Sequence, residues 1–268
     1  MLRLAANLST LYTELPLLER PSAARGAGFG ATEFQFPYAT PAADLARACA
    51  EARVECVLIN IPAGRLEAGE LGLAGLPGRQ ADFAAALEQA IEYAQVLNCK
   101  QLNCLAGNRP KGAAIADCWK VLVDNVQLAA QRAADAGIQL LVEALNPEDF
   151  PGHVLRSAAD ADALLAAVDH PNLALQYDVY HRYAAREDWL VGLRARLPRI
   201  RHIQVSDYPG RHEPGSGVID MAALFAFLAD SSYAGWVGCE YRPRTTTVDS
   251  FGWLSLRPEF NAIMQDRA

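Results

Sequence analysis

Four oxygen-bearing side chains stand at the ends of apolar, strand-like runs: Glu143 in IQLLVEAL, Asp178 in LALQYDVY, Gln204 in IRHIQVSD and Glu240 in GWVGCEYRP. An isolated carboxylate in such a setting is costly or takes up a proton, so three of them converging need a positive partner. A divalent cation is the economical one. Three carboxylates and an amide carbonyl are hard donors, which suit Mg²⁺ or Mn²⁺ better than Zn²⁺ with its preference for His and Cys. The neutral Gln204 also limits the charge of the ring. The alternative is pairing with Arg or Lys inside the fold, Arg201 and Arg242 being the nearest bases, or a strand register displaced by one residue. His202 shares parity with Gln204 and is expected to point inward one layer below it, as a hydrogen-bonded core histidine rather than a support for the ligands.

These residues are separated by 35, 26 and 36 residues, each about one βα unit, which makes sequence neighbours into ring neighbours. Strand-like runs cover Leu2 to Asn7, Ala31 to Phe36, Val54 to Ile61, Lys100 to Ala106, Ile138 to Leu145, Leu173 to Tyr180, Ile200 to Asp207 and Trp236 to Tyr241. Helical stretches follow each, clearest over Gln80 to Leu97 and Ala113 to Ala136, where apolar residues recur at three- and four-residue spacing and Asn or Gly follows the end. Eight βα units in 268 residues, close to the ~250 usual for the fold, predict one (β/α)8 TIM barrel domain over 1–268, with an open doubly wound sheet as the alternative. Barrel enzymes build their sites at the C-terminal ends of the strands, where the four residues fall. Gly26, Gly28 and Gly30 follow a helical run and precede a strand, the wrong order for a phosphate cradle, and suit a helix end and a tight turn.

The chain is 51% hydrophobic and 21% charged, with a formal net charge of -7, so it can bury a large core but offers no broad positive field for nucleic acid or anionic lipid. Polar residues interrupt the start too early for a signal-peptide core, and no run reaches membrane-spanning length, so a cytoplasmic protein is expected. The six cysteines lack a CxxC pair and suit reduced, buried thiols.

The segments AANLSTLYTELP, GFGATEFQFPY, LINIPAG, GLAGLPGR, LVEALNP, QYDVYH, HIQVSD, RHEPGSGVID and GWVGCEYRPR together resemble the hydroxypyruvate isomerase family, among the xylose-isomerase-like barrels that include ketose 3-epimerases. The resemblance spans nearly the whole chain. It implies aldose–ketose interconversion of a small hydroxy-oxo acid, a divalent metal on Glu143, Asp178, Gln204 and Glu240, and proton transfer by Glu143 and Glu240. Similar members act on 2-oxotetronates, one carbon longer than hydroxypyruvate. The loops Asn108 to Gly112 and Asn146 to His153 depart from the pattern, which bears on substrate choice more than on reaction type.

Two carboxylates on opposite sides of a substrate suit such chemistry, one ionised to accept a proton and the other holding one to donate. A substrate carboxylate needs a cationic anchor. The candidates are His181, Arg211 and His212; the epimerase resemblance favours His181 and Arg211, against a solvated loop arginine and a helix-capping histidine. Asn7, Glu33, Asn60 and Asn103 are further candidates for the same mouth, Glu33 being as well explained by a structural tie to Lys or Arg. Phe36, Tyr38 and Trp253 default to core packing. The competing functions are ketose 3-epimerase, a metal-dependent DNA-repair nuclease, which five histidines and a negative charge disfavour, and a non-catalytic sugar-acid binder. The expected partner is a small hydroxy-oxo acid, and self-association into a homo-oligomer follows only by analogy.

Overall fold

Eight parallel strands close on themselves in sequence order in the computed structural model, each paired with the next and β8 with β1. The structure describes residues 2–256, so Met1 and residues 257–268 of the expected domain lie outside the described residues. The strands are β1 (Arg3–Asn7), β2 (Ala31–Phe34), β3 (Glu55–Asn60), β4 (Gln101–Cys104), β5 (Gln139–Val142), β6 (Leu173–Asp178), β7 (Ile200–Val205) and β8 (Trp236–Cys239). Between them run α1 (Arg20–Gly26), α2 (Ala42–Ala52), α3 (Gln80–Val96), α4 (Ile115–Asp135), α5 (Ala158–Val168), α6 (Val179–Ala184), α7 (Trp189–Arg196) and α8 (Met221–Asp230). No helix among the described residues is long and apolar enough to cross a membrane.

Alternation along each strand decides what the lumen contains. Leu140 and Val142 of β5, Leu175 and Tyr177 of β6, Ile203 and Val205 of β7, and Val237 and Cys239 of β8 join the large core shared with the helices. The opposite parity forms separate small clusters, Ala5 with Ala31 and Val57, and Leu58 with Leu141 and Ala174. Continued to the strand ends, that inward parity reaches Asn7, Glu33, Asn103, Glu143, Gln176, Asp178, Gln204 and Glu240, all buried. Register irregularities lie at Thr32/Glu33 and Leu175/Gln176, where extra residues re-aim side chains beside the mouth.

Helix ends follow the sequence signals. Asn98 after α3 and Gly137 after α4 adopt positive φ (52° and 68°), and Gly28 turns the chain from α1 into β2 at φ 97°. Ser157 and Asp160 form a capping box at the start of α5. All six cysteines are free and buried.

His153 pins the loops after β4 and β5 together. Its Nε2 accepts from the Gly107 N–H at 3.3 Å, its Nδ1 donates to the Leu155 carbonyl at 2.7 Å, and burial lowers its pKa to about 4. The depressed value means that the unfolded chain binds the extra proton first. His153 therefore contributes stability fully above pH ~6.5 and loses it as pH falls toward 4, about 3 kcal/mol in all. Denaturant midpoints of wild type and His153→Gln measured from pH 7 to 4 are expected to converge on acidification; a constant gap contradicts this assignment.

Candidate active site

The four residues singled out by the strand ends come together at the C-terminal mouth. Asp178 and Gln204 are register partners on β6 and β7, and Glu143 and Glu240 each sit one residue beyond β5 and β8. Arg211, from the loop after β7, joins two of the acids: its Nη2 donates to Asp178 Oδ2 at 2.8 Å and to Glu240 Oε1 at 2.7 Å. Internal pairing with an arginine is thus realised, although by Arg211 and not by Arg201 or Arg242.

Arg211 is not a solvated loop residue, since its side chain is only 15% exposed. Asp207 folds the loop back by accepting the N–H groups of Tyr208, Gly215 and Ile219, at 2.8, 2.9 and 3.0 Å, and Arg211 itself sits at φ 58°. A positive φ in a non-glycine residue is strained and is held by its surroundings. The Arg211 Nε–H is buried and has no hydrogen-bond partner among the described residues.

His181, one turn into α6, faces the same point. One ligand atom from each of Glu143, Asp178 and His181 lies within 4.8 Å of the others. His181 Nδ1 meets the Asn146 side chain at 2.8 Å, and Nε2 stands 3.2 Å from Arg211 Nη1. Burial, then Arg211 and Arg182, push its pKa well below the usual imidazole value. Of the two expected cationic anchors, His181 is thus disfavoured as a cation, and the charge of Arg211 is matched by Asp178 and Glu240. His212 turns away, with Nδ1 against the Arg242 carbonyl at 2.8 Å.

The acids carry more negative charge than one guanidinium offsets. Burial, then Glu240 and Asp178, raise Glu143 well above the ordinary carboxyl range, and burial raises Asp178 despite Arg211. Glu240 is raised to about 7, by burial first, with Arg211 opposing and Asp178 and Glu33 adding.

A layer of amides beneath holds the acids in place. Glu143 Oε2 accepts from Asn103 and Gln176 at 3.0 and 2.9 Å, leaving Oε1 turned toward His181 at 3.8 Å. Gln176 also donates to Gln204 Oε1 at 2.6 Å, and Gln204 donates to Glu33 Oε1 at 2.7 Å and to Glu240 Oε2. Gln35 donates to Glu240 Oε1 at 2.9 Å. Glu33 is tied to His202, Asn7 and Gln204 rather than to Lys or Arg, and His202 is the buried, hydrogen-bonded histidine its parity implied. Sequence reasoning missed Gln35, Gln176 and Asn146. Gln176 shares the inward parity of Asp178, which could have found it; Gln35 and Asn146 carry no such signal.

Gly238 lies beside Gln204 in register, and a Cβ there would land on the Glu33 carboxylate. Gly238→Ala is expected to push Glu33 off Gln204 and His202 and to cost about 1–3 kcal/mol. A thermal melt superimposable on wild type would contradict it.

A closed parallel barrel with buried acids gathered at its C-terminal mouth is an enzyme scaffold, and the sequence model described as a xylose isomerase-like TIM barrel matches residues 21–256. The chain is 40% identical over 254 residues to the 2-oxo-tetronate isomerase of Cupriavidus necator, and 39% identical over 254 residues to the hydroxypyruvate isomerase of Escherichia coli. Each alignment covers 95% of this chain and 98% of the relative. A crystal structure from Brucella melitensis, described as an AP endonuclease of family 2, matches with a TM-score of 0.92 at 37% identity, over 96% of this chain and 99% of that one. The chain belongs to the hydroxypyruvate isomerase family of xylose isomerase-like barrels and is an isomerase.

Proposed function

We propose that the protein interconverts the ketose and aldose forms of a small hydroxy-oxo acid, hydroxypyruvate and tartronate semialdehyde, with Glu143 and Glu240 as the proton-transfer groups. The observation that carries this reading is the pair of buried glutamates, both raised in pKa, at one barrel mouth in a chain related to hydroxypyruvate and 2-oxo-tetronate isomerases. A second reading, the four-carbon 2-oxo-tetronate as substrate, is favoured by the Cupriavidus relative.

The donor set fits a divalent cation, because three buried carboxylates have one guanidinium among them, bonded to two, and Gln204 adds a neutral amide whose Oε1 here accepts from Gln176. Glu143, Asp178, Gln204 and Glu240 would hold Mg²⁺ or Mn²⁺, and His181 is close enough to contribute. When bound, such an ion polarises the carbonyl and lowers the acidity barrier of the adjacent C–H.

The chain's own residues carry the proton. One glutamate removes it from the hydroxyl-bearing carbon, giving an enediolate, and the other delivers a proton to the former carbonyl carbon, while the hydroxyl proton passes to the former carbonyl oxygen. Arg211 holds Glu240 and Asp178 in position and keeps its unpartnered Nε–H for a substrate oxygen. His181, neutral, is a hydrogen-bonding group for the substrate's oxygens. The nuclease suggested by the name of the Brucella neighbour would need a cationic face for phosphates, whereas this mouth is acidic and the net charge is -7. The test is turnover of hydroxypyruvate and of 2-oxo-tetronate by the purified protein with Mg²⁺ or Mn²⁺ in D₂O. Product with solvent deuterium on carbon is expected; no turnover of either acid rejects the reading.

A further inference from the structure

We infer that the guanidinium of Arg242 is the seat of the substrate carboxylate; the inference rests on the hydroxy-oxo acid reading above. An acid substrate brings one more negative charge into a mouth already crowded with them, so its carboxylate needs a cation that is not otherwise engaged. Arg211 does not meet that need, because it is shared between Asp178 and Glu240. His181 does not either, being buried with Nδ1 against the Asn146 side chain at 2.8 Å and Nε2 against Arg211 Nη1 at 3.2 Å. The cavity of about 460 Å³ that opens beside Glu240 is lined by a second arginine, the exposed Arg242. Its side chain makes no ion pair or hydrogen bond among the described residues, and its placement is fixed by the main chain alone: the Arg242 N–H donates to the Arg211 carbonyl at 2.7 Å, and its own carbonyl meets His212.

Arg242 lies two residues beyond Glu240, while Tyr241 between them is fully buried on the other side, its hydroxyl 3.0 Å from Ser250. The rest of the cavity wall is polar, with threonine and serine hydroxyls, the amide of Gln35 and one further carboxylate, that of Glu14, which the Thr247 hydroxyl meets at 3.4 Å. Its volume corresponds to about fifteen waters at ~30 Å³ each, ample for three or four carbons held between Glu240 and a cation farther out. A planar, bidentate guanidinium is the group best matched to a carboxylate.

The experiment compares wild type, Arg242→Gln and Arg242→Lys in steady-state kinetics on hydroxypyruvate and 2-oxo-tetronate, with calorimetric Kd values for the same acids. The Arg242 side chain is exposed and makes no hydrogen bond or ion pair among the described residues, so the variants keep the fold. Arg242→Gln is expected to raise KM and Kd roughly 10- to 100-fold with kcat within about threefold of wild type, and Arg242→Lys to recover part of the loss. Wild type turning over either acid while Arg242→Gln shows unchanged KM and Kd overturns the anchor and leaves the isomerase reading intact. Wild type binding the acids without turnover, with binding lost in Arg242→Gln, rejects the isomerase reading and keeps the anchor. If wild type neither binds nor converts them, both fall.

Discussion

Glu240→Gln and Glu143→Gln are each expected to lower kcat by about three orders of magnitude, at the upper part of the range for loss of a positioned acid or base. Glutamine retains the shape, and at position 143 its one oxygen can still accept from Asn103 and Gln176; at position 240, where Oε1 accepts from Gln35 and Arg211 and Oε2 from Gln204 and Asn7, it keeps one of the two pairs of donors. What it loses is the ability to take or give a proton. Both variants should therefore fold, by circular dichroism and melting, while losing turnover and carbon-bound deuterium from D₂O. Isotope uptake near the wild-type rate in Glu240→Gln would break the two-glutamate scheme, because a single remaining carboxylate would then suffice.

The second large effect concerns the cation. Chelation is expected to abolish turnover, and Mg²⁺ or Mn²⁺ to restore it. Binding also moves stability, since a ligand at about a hundred times its Kd stabilises the folded state by roughly 2.7 kcal/mol. For a chain of this size that raises Tm by about 5–10 °C. Asp178→Asn, which keeps the shape of the ring but removes one anionic ligand, should show a much smaller rise. Full activity in protein from which elemental analysis detects no metal would refute metal dependence, and an unchanged melting curve on adding either ion would refute this binding site.

Much of the site was readable because strand parity is a strict rule. Once Leu141 and Ala174 mark the lumen face of β5 and β6, and Ile203 the helix face of β7, a polar residue such as Glu143, Asp178 or Gln204 at the inward parity announces itself. Strand length was less legible. The run expected over Ile138 to Leu145 forms a ladder only over Gln139–Val142, and the one expected over Trp236 to Tyr241 only over Trp236–Cys239. The last residues of each lift away from their neighbours to make the mouth. Apolar character continues past the point where pairing ends, so hydrophobicity alone overruns it. Arg211 was visible as a cation but not as a partner of Asp178 and Glu240. That role depends on three backbone N–H groups converging on Asp207, a loop conformation no periodicity encodes. The partners of Glu33 were misjudged for a related reason: they come from β1 and β7, and the closure that brings β1 beside β8 is a property of the whole sheet.

The main-chain bond from Arg242 to Arg211 makes the turn following the seventh strand and the exit from the eighth a single inheritable cassette. Transplanting one stretch from a cousin without the other would misalign both guanidiniums at once, so chimeras and paired substitutions across this joint should depart from additivity.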